Sequence, residues 1–280
     1  VRVDTAVAIR DDDGLHVTGL DTAQPVFSVT KMFMATVVLR LAESGLLALD
    51  DEASRRVPQC PGGIMVRELL NHTGGLPDYV TDARYLDAVT ARDRPWDVNR
   101  IAEVALAGRH SERGRFRYSN LGYWLLGALV KHVTGSALRD TLTDLVFTPA
   151  GMTSTTYPAA GALLTAADYD TCWAGPAGAV WSTPRDLVTF LTALQHGSLL
   201  SKESWTAMTT TTPVTTGPPW RAPGYGLGLM IDSEYQVLGH SGGGPGYTSA
   251  AFTTAARSVA IVAGPESTED PTRLALELLG

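Results

Sequence analysis

Lysine is nearly missing from this chain: Lys31, Lys131 and Lys202 stand against nineteen arginines in 280 residues. Almost every basic position is held by a side chain that cannot release its proton near neutral pH, so each lysine raises the question of why arginine would not serve. Basic runs are also missing. The net charge of -7 and the pI of about 5.3 argue against a nucleic-acid partner. The one basic concentration, Arg109 to Arg117, reads as a solvated surface segment. No apolar run reaches the ~18 residues that span a bilayer, because the longest helical candidate is interrupted by Gly122 and Gly127. No integral membrane segment is expected.

Cysteine is scarce too. Cys60 and Cys172 form no C-x-x-C, and the six histidines (16, 72, 110, 132, 196 and 240) show no H-E-x-x-H or comparable spacing. Two buried free thiols are expected, with no metal and no other cofactor. The opening Val-Arg-Val-Asp-Thr-Ala-Val lacks the charged, apolar and small-residue order of a secretory signal. That leaves the compartment open between cytoplasm and an exported form whose leader is missing.

At 44% hydrophobic and 18% charged, the chain can bury a full core as one large domain or two lobes. Residues 3–10 and 15–20 read as strands joined by Asp11-Asp12-Asp13-Gly14. Next comes Phe27-Ser28-Val29-Thr30-Lys31-Met32-Phe33, which opens an apolar run to Leu47. Its polar residues Thr36, Arg40, Glu43 and Ser44 fall on one stripe of a helix closed by Gly45, so a buried helix is expected. If that helix starts near Ser28, the spacing of three sets the Ser28 hydroxyl and the Lys31 amine on one face. A desolvated lysine can be neutral enough near pH 7 to help deprotonate a serine, and a helix N-terminus favours developing negative charge. Alone, an S-x-x-K pair is a weak signal.

From about 55 to 178 the pattern is helical: Val66–Leu70, Trp96–Leu106, and Leu121–Val133 with small residues that permit close packing. Asn71 to Pro77 forms a tight turn in which His72 reads as structural. Thr183 caps a helix running to about Leu194, with Pro184 in its first turn. Strand-like runs return at 225–231, 235–239, 247–254 and 258–263, followed by a helix over 271–279. This order predicts an α/β lobe from 1–55 and 179–280, split by an inserted helical lobe, 56–178, with a cleft between them.

Two clusters fall where such a cleft needs them. Tyr118-Ser119-Asn120 precedes the Leu121 helix, and His240-Ser241-Gly242-Gly243-Gly244 follows the strand ending at Leu238. With Ser28 and Lys31 they make the ordered set S-x-x-K, Y-x-N and H-x-G. In this the chain resembles the serine penicillin-recognising family: class C β-lactamases, D-alanyl-D-alanine peptidases and related esterases. Leu69 to Pro77, Phe116 to Gly127, Pro149 to Thr153 and 178 to 190 resemble further stretches of that family, so the likeness covers most of the chain.

The resemblance implies a β-lactamase/transpeptidase-like fold: an antiparallel sheet flanked by helices, with an inserted, mostly helical lobe. It also implies Ser28 as the nucleophile, with Lys31 and Tyr118 sharing the proton traffic and the base between them left open. Asn120 would orient Lys31 and the substrate, and His240 and Ser241 would help bind substrate. The backbone N–H groups of Ser28 and Gly243 would form the oxyanion hole. His240 stands where many relatives carry lysine, which disfavours an efficient β-lactamase. The helix and Pro-Gly turn that usually precede the first strand are absent ahead of Val1, and Gly114 follows Arg113 where Pro-Gly is common. The short length suggests trimmed loops.

The expected function is that of a serine hydrolase cleaving a small-molecule ester, amide or peptide through an acyl-serine, of esterase or D-amino-acid peptidase type. The alternatives are an acyltransferase, a class C-like β-lactamase and a non-turnover penicillin-binding or sensor protein. The sequence leaves the oligomeric state open.

Overall fold

A computed structural model describes residues 4–280, so Val3, in the first expected strand, lies outside the described residues. The Asp-Gly turn joins β1 (Thr5–Asp11) to β2 (Gly14–Thr18), with Gly14 at φ +115. A two-residue strand β3 (Gln24–Pro25) and a 3₁₀ turn (Phe27–Val29) lead into α1 (Thr30–Glu43). Ser28 therefore sits in the tight turn that enters the helix. Every α1 residue from Thr30 to Leu39 is buried, Thr36 included, because its hydroxyl donates to the Met32 carbonyl at 2.9 Å.

The chain continues through α2 (Val66–Leu70), α3 (Ala83–Thr90), α4 (Val98–Leu106) and α5 (Asn120–Thr134). Then α6 (Leu138–Leu142) runs through a π turn into α7 (Thr148–Ala150). Asp82 caps α3 and Asp97 caps α4, each accepting a backbone N–H from within the first turn. After β4 (Trp181–Ser182) come α8 (Pro184–Gln195), capped by Thr183, and α9 (Lys202–Thr209), capped by Ser201. The chain closes with β5 (Thr212–Pro213), β6 (Pro223–Tyr225), β7 (Met230–Asp232), β8 (Val237–Gly244), β9 (Tyr247–Thr253), β10 (Ser258–Ala263) and α10 (Pro271–Leu279).

Eight strands form one antiparallel sheet in the order β2-β1-β10-β9-β8-β7-β6-β5, so β1 and β10, from the two ends of the chain, pair one strand in from an edge. Strand alternation splits the apolar residues between two faces. Val7, Phe252, Val259 and Ile261 pack with Ala275 of α10, whereas Ala8, Ala251, Ala260 and Val262 join the core that holds α1, α5 and α8. This is the mixed α/β class with a helix-flanked antiparallel sheet.

Two strand expectations require correction. The run 225–231 is a hairpin, β6 and β7, because Gly228 turns left-handed (φ +75) and the Gly226 N–H closes on the Leu229 carbonyl at 2.8 Å. β8 does not end at Leu238. It runs to Gly244, so His240 to Gly244 lie inside the strand, paired only with β9 once β7 stops opposite Gly239. The outer edge of β8 is thereby left to the turn that carries Ser28.

Gly122 and Gly127 serve close packing. A Cβ on Gly122 would lie 3.0 Å from the Leu69 carbonyl oxygen, and one on Gly127 only 2.4 Å from Pro176 Cγ. Gly127→Ala should lower stability by about 1–3 kcal/mol despite alanine's better helix propensity, read as a lower urea midpoint with an unchanged m-value. An unchanged or raised midpoint would show that α5 can move away from Pro176.

Candidate active site

The entry to α1 is strained where it presents Ser28. Phe27, a bulky residue, holds φ +43, and the half-buried Ser28 follows it. The edge of β8 closes on this turn: a Cβ on Gly242 would lie 2.2 Å from the Val26 carbonyl oxygen, and one on Gly244 would lie 2.2 Å from the Phe27 ring. Ser249 Oγ on β9 fixes the same turn by donating to the Val26 carbonyl at 2.8 Å. Gly243 is exposed between these tight glycines and lines one cavity with Ser28.

Lys31, one helical turn on, is fully buried. Its Nζ lies 3.0 Å from Ser28 Oγ, 2.8 Å from Asn120 Oδ1 and 2.8 Å from the Ala177 carbonyl oxygen. The last two can only accept, so a neutral amine spends both its N–H groups on them. Its lone pair then faces the serine hydroxyl. Burial pushes the Lys31 pKa down to about 7, opposed by the negative charge of Asp78. Near neutral pH the amine form is therefore well populated.

Tyr118 stands beside the pair, its ring centroid 4.9 Å from Lys31 Nζ and its hydroxyl hydrogen-bonded to Ser28. Desolvation raises its pKa well above the usual phenol value, against the lowering effect of Ser28, so the hydroxyl stays protonated. His72 packs against it at 4.3 Å between centroids and accepts the Ser119 N–H on Nδ1 at 3.3 Å, which leaves its proton on a buried, unpartnered Nε2. Among the described residues no hydrogen bond joins His72 to Ser28. It holds the backbone next to Tyr118.

His240 is also fully buried. Nδ1 must donate to the Ser241 carbonyl at 2.5 Å, so Nε2 accepts from the Tyr225 hydroxyl at 2.9 Å. Both bonds are satisfied by the neutral ring. Burial and the nearby Lys31 push its pKa down to about 3. The Ser241 hydroxyl turns away from Ser28 toward Met230 Sδ, at 3.6 Å. Ser28, Lys31, Tyr118 and Asn120 thus converge, Gly243 and His240 flank them, and Ser241 contributes its carbonyl to His240.

Asp78 and Tyr225 belong to this site and were not singled out from the sequence. Asp78 Oδ2 accepts both the backbone N–H of Asn120 (3.2 Å) and its Nδ2 (2.9 Å). Its position directly after Asn71 to Pro77 was the available signal. Tyr225 reads in the sequence only as a strand residue.

Two cavities meet the site. One of about 300 Å³ runs from Ser28 past Tyr79, Tyr85, Asn120, Tyr169 and Gly243. The other, about 260 Å³, opens on Tyr118 between Phe116, Trp220, Tyr225 and Met230, with no charged side chain in its wall. Elsewhere, Cys60 is buried and Cys172 half-buried, both unpaired. Among the described residues no group of three or more His, Cys, Asp or Glu is placed to hold a metal ion, and no helix is long and apolar enough to cross a membrane.

Comparison with known proteins agrees with this fold. Residues 2–274 match the family model described as Beta-lactamase. Penicillin-binding protein 4* of Bacillus subtilis is 28% identical over 263 residues, covering 79% of this chain and 56% of the relative. The chain spans about half the length of the curated relatives it matches first. A D-stereospecific amidohydrolase from Streptomyces sp. superposes with a TM-score of 0.83 at 29% identity, over 94% of this chain and 89% of that one. D-amino acid amidase from Ochrobactrum anthropi SV3 also gives 0.83, at 27% identity, over 99% and 96%.

The hydrogen bonds of His240 fix an observable. Its ring should remain neutral, with the proton on Nδ1, across pH 5–8, as followed by ¹⁵N-resolved histidine spectra. A His240 signal that titrates near 6.5 would contradict the buried Tyr225–His240 arrangement.

Proposed function

This chain belongs to the β-lactamase family, and from that premise we propose that it is a serine hydrolase that cleaves an amide or ester through an acyl-Ser28 intermediate. One observation carries the reading: Lys31 Nζ is 3.0 Å from Ser28 Oγ, with its other two neighbours restricted to accepting. In the forward step Ser28 Oγ bonds to the substrate carbonyl carbon while its proton passes to the Lys31 amine. The backbone N–H groups of Ser28 and Gly243 receive the developing oxyanion. Collapse breaks the bond to the leaving amine or alcohol. Tyr118 delivers the proton that the leaving group needs and is reprotonated from the Lys31 ammonium. Water then repeats the sequence on the acyl-enzyme, with Lys31 again taking the proton.

The neutral His240 favours amides and esters over β-lactams. A β-lactam antibiotic or a peptide ending in a free carboxylate brings an anion to the leaving-group side, and an uncharged imidazole locked between Tyr225 and Ser241 gives it no cation. The uncharged cavity beside Tyr118 suits a neutral leaving group instead. With the likeness to D-stereospecific amidases, this favours D-amino-acid amides or esters as substrates.

Intact-protein mass spectrometry tests the reading. A fluorophosphonate should add once to the wild-type chain and not to folded Ser28→Ala. D-phenylalanine amide should turn over faster than its L-isomer, and a penicillin should acylate slowly or not at all. Tyr118→Phe should slow turnover by ~10²-fold or more. Labelling that persists in Ser28→Ala would overturn the nucleophile assignment.

A further inference from the structure

We infer that Asp78 is a positioning residue: through Asn120 it fixes the orientation of the amide that holds Lys31, and it is the carboxylate that sets the electrostatic environment of that amine. The inference rests on the hydrolase reading above and assigns to Asp78 a role in the same site.

An asparagine side chain offers one acceptor edge and one donor edge, and nothing intrinsic decides which way it faces. Lys31 Nζ, with an N–H to place, needs the acceptor. A carboxylate can only accept. Asp78 Oδ2, 2.9 Å from Asn120 Nδ2, therefore forces Oδ1 toward Lys31 at 2.8 Å. Flipping the amide would set oxygen against carboxylate at one end and N–H against the amine at the other, losing both bonds together.

The carboxylate is itself held firmly. Oδ1 accepts the Tyr79 N–H at 2.8 Å, and Oδ2 also takes the Asn120 backbone N–H at 3.2 Å. Asn120 opens α5, and its preceding residue Ser119 makes no side-chain cap. Asp78 thus caps a fifteen-residue helix from a separate loop, where the helix dipole favours a negative charge. The same loop secures the adjacent residues: Ser119 Oγ donates to the Pro77 carbonyl at 2.7 Å, and the Arg117 N–H donates to the His72 carbonyl at 2.9 Å. No guanidinium pairs with Asp78 among the described residues, so its charge is left to act on Lys31.

The groups that face Lys31 are few. From α5 comes the Tyr123 ring at 5.2 Å, from the segment before α5 comes Tyr118, and His72 and His240 act on it from α2's end and from β8. Both tyrosines stay protonated and both imidazoles neutral near pH 7, for burial raises the phenol values and lowers the imidazole ones. Among the described residues Asp78 is then the one charge acting on Lys31, and it favours the ammonium. Its removal should lower the Lys31 pKa, so the acid limb of kcat/KM moves to lower pH.

The test is the pH–rate profile of Asp78→Asn, with D-phenylalanine amide and with an acetyl ester that carries no amine. The variant should lose about tenfold or more in kcat on both substrates with little change in KM. Its acid limb should move down by roughly half a unit to one unit, and Asp78→Glu should restore part of the rate. An acid limb that stays in place while activity falls would overturn the inference, leaving Asp78 as a helix cap alone. A loss confined to KM for the amine-bearing substrate would also overturn it, by making Asp78 a substrate contact. Fluorophosphonate labelling of Ser28 in both variants separates these outcomes from failure of the hydrolase reading, because labelling requires only that the nucleophile is competent.

Discussion

The structure depends on a lysine buried where an ammonium is poorly tolerated. Lys31 sits in the first turn of a helix whose other buried residues are apolar or self-satisfied, and its three polar neighbours are a hydroxyl, an amide oxygen and a peptide carbonyl. None of them carries a charge. Desolvation of an unpaired ammonium is resolved by releasing the proton, and the neighbour best placed to supply one in return is Ser28. An arginine could not do this, which accounts for a lysine at this position in a chain that otherwise uses arginine almost throughout.

Much of the surrounding architecture keeps that amine dry yet in contact with Ser28. The Ser28 turn is pinned between α1 and the free edge of β8, at the cost of left-handed backbone at Phe27 and of glycine at 242 and 244. Aromatic and imidazole rings close the other side: Tyr118 and Tyr123 lie over Lys31, and His72, Tyr225 and His240 pack against those rings and one another. Buried polar rings of this kind call for hydrogen bonds, which His72 Nε2 lacks. The chain of contacts from the Ser241 carbonyl through His240 to Tyr225 supplies them to His240 with neutral groups alone. A lysine at position 240 would add a second buried cation beside the first. The neutral histidine spares Lys31 a like-charged neighbour.

What the sequence reveals follows how local each determinant is. The β1–β2 hairpin, α2, α8, β10 and α10 are fixed by short-range signals, among them an Asp-Gly turn, caps at Thr183 and Asp270, and a continuous β-branched and apolar run in 258–263. α3 and α9 are weakly marked in the sequence although Asp82 and Ser201 cap them, because each is only eight residues long and buries one or two of them. β8 was cut short for a different reason. Gly242 to Gly244 reads as a turn, whereas the close approach of the Val26–Phe27 backbone demands glycine inside a strand. Within the site, Ser28, Lys31, Tyr118 and Asn120 could be read from ordered motifs, and the structure brings all four together. Asp78 could not, since its importance lies in which edge of Asn120 it faces, a relation between residues 42 positions apart. The placement of Ser241, facing Met230, is equally non-local.

The central claim, that burial makes Lys31 a base at neutral pH, is open to direct measurement. With only three lysines in the chain, a ¹³Cε-lysine spectrum is sparse, and the Lys31 signal is the one lost in Lys31→Arg. Followed from pH 5 to 10, that signal should titrate with a midpoint near 7. A Lys31 resonance that stays in its ammonium position to pH 10 would contradict the account and move the base to another group.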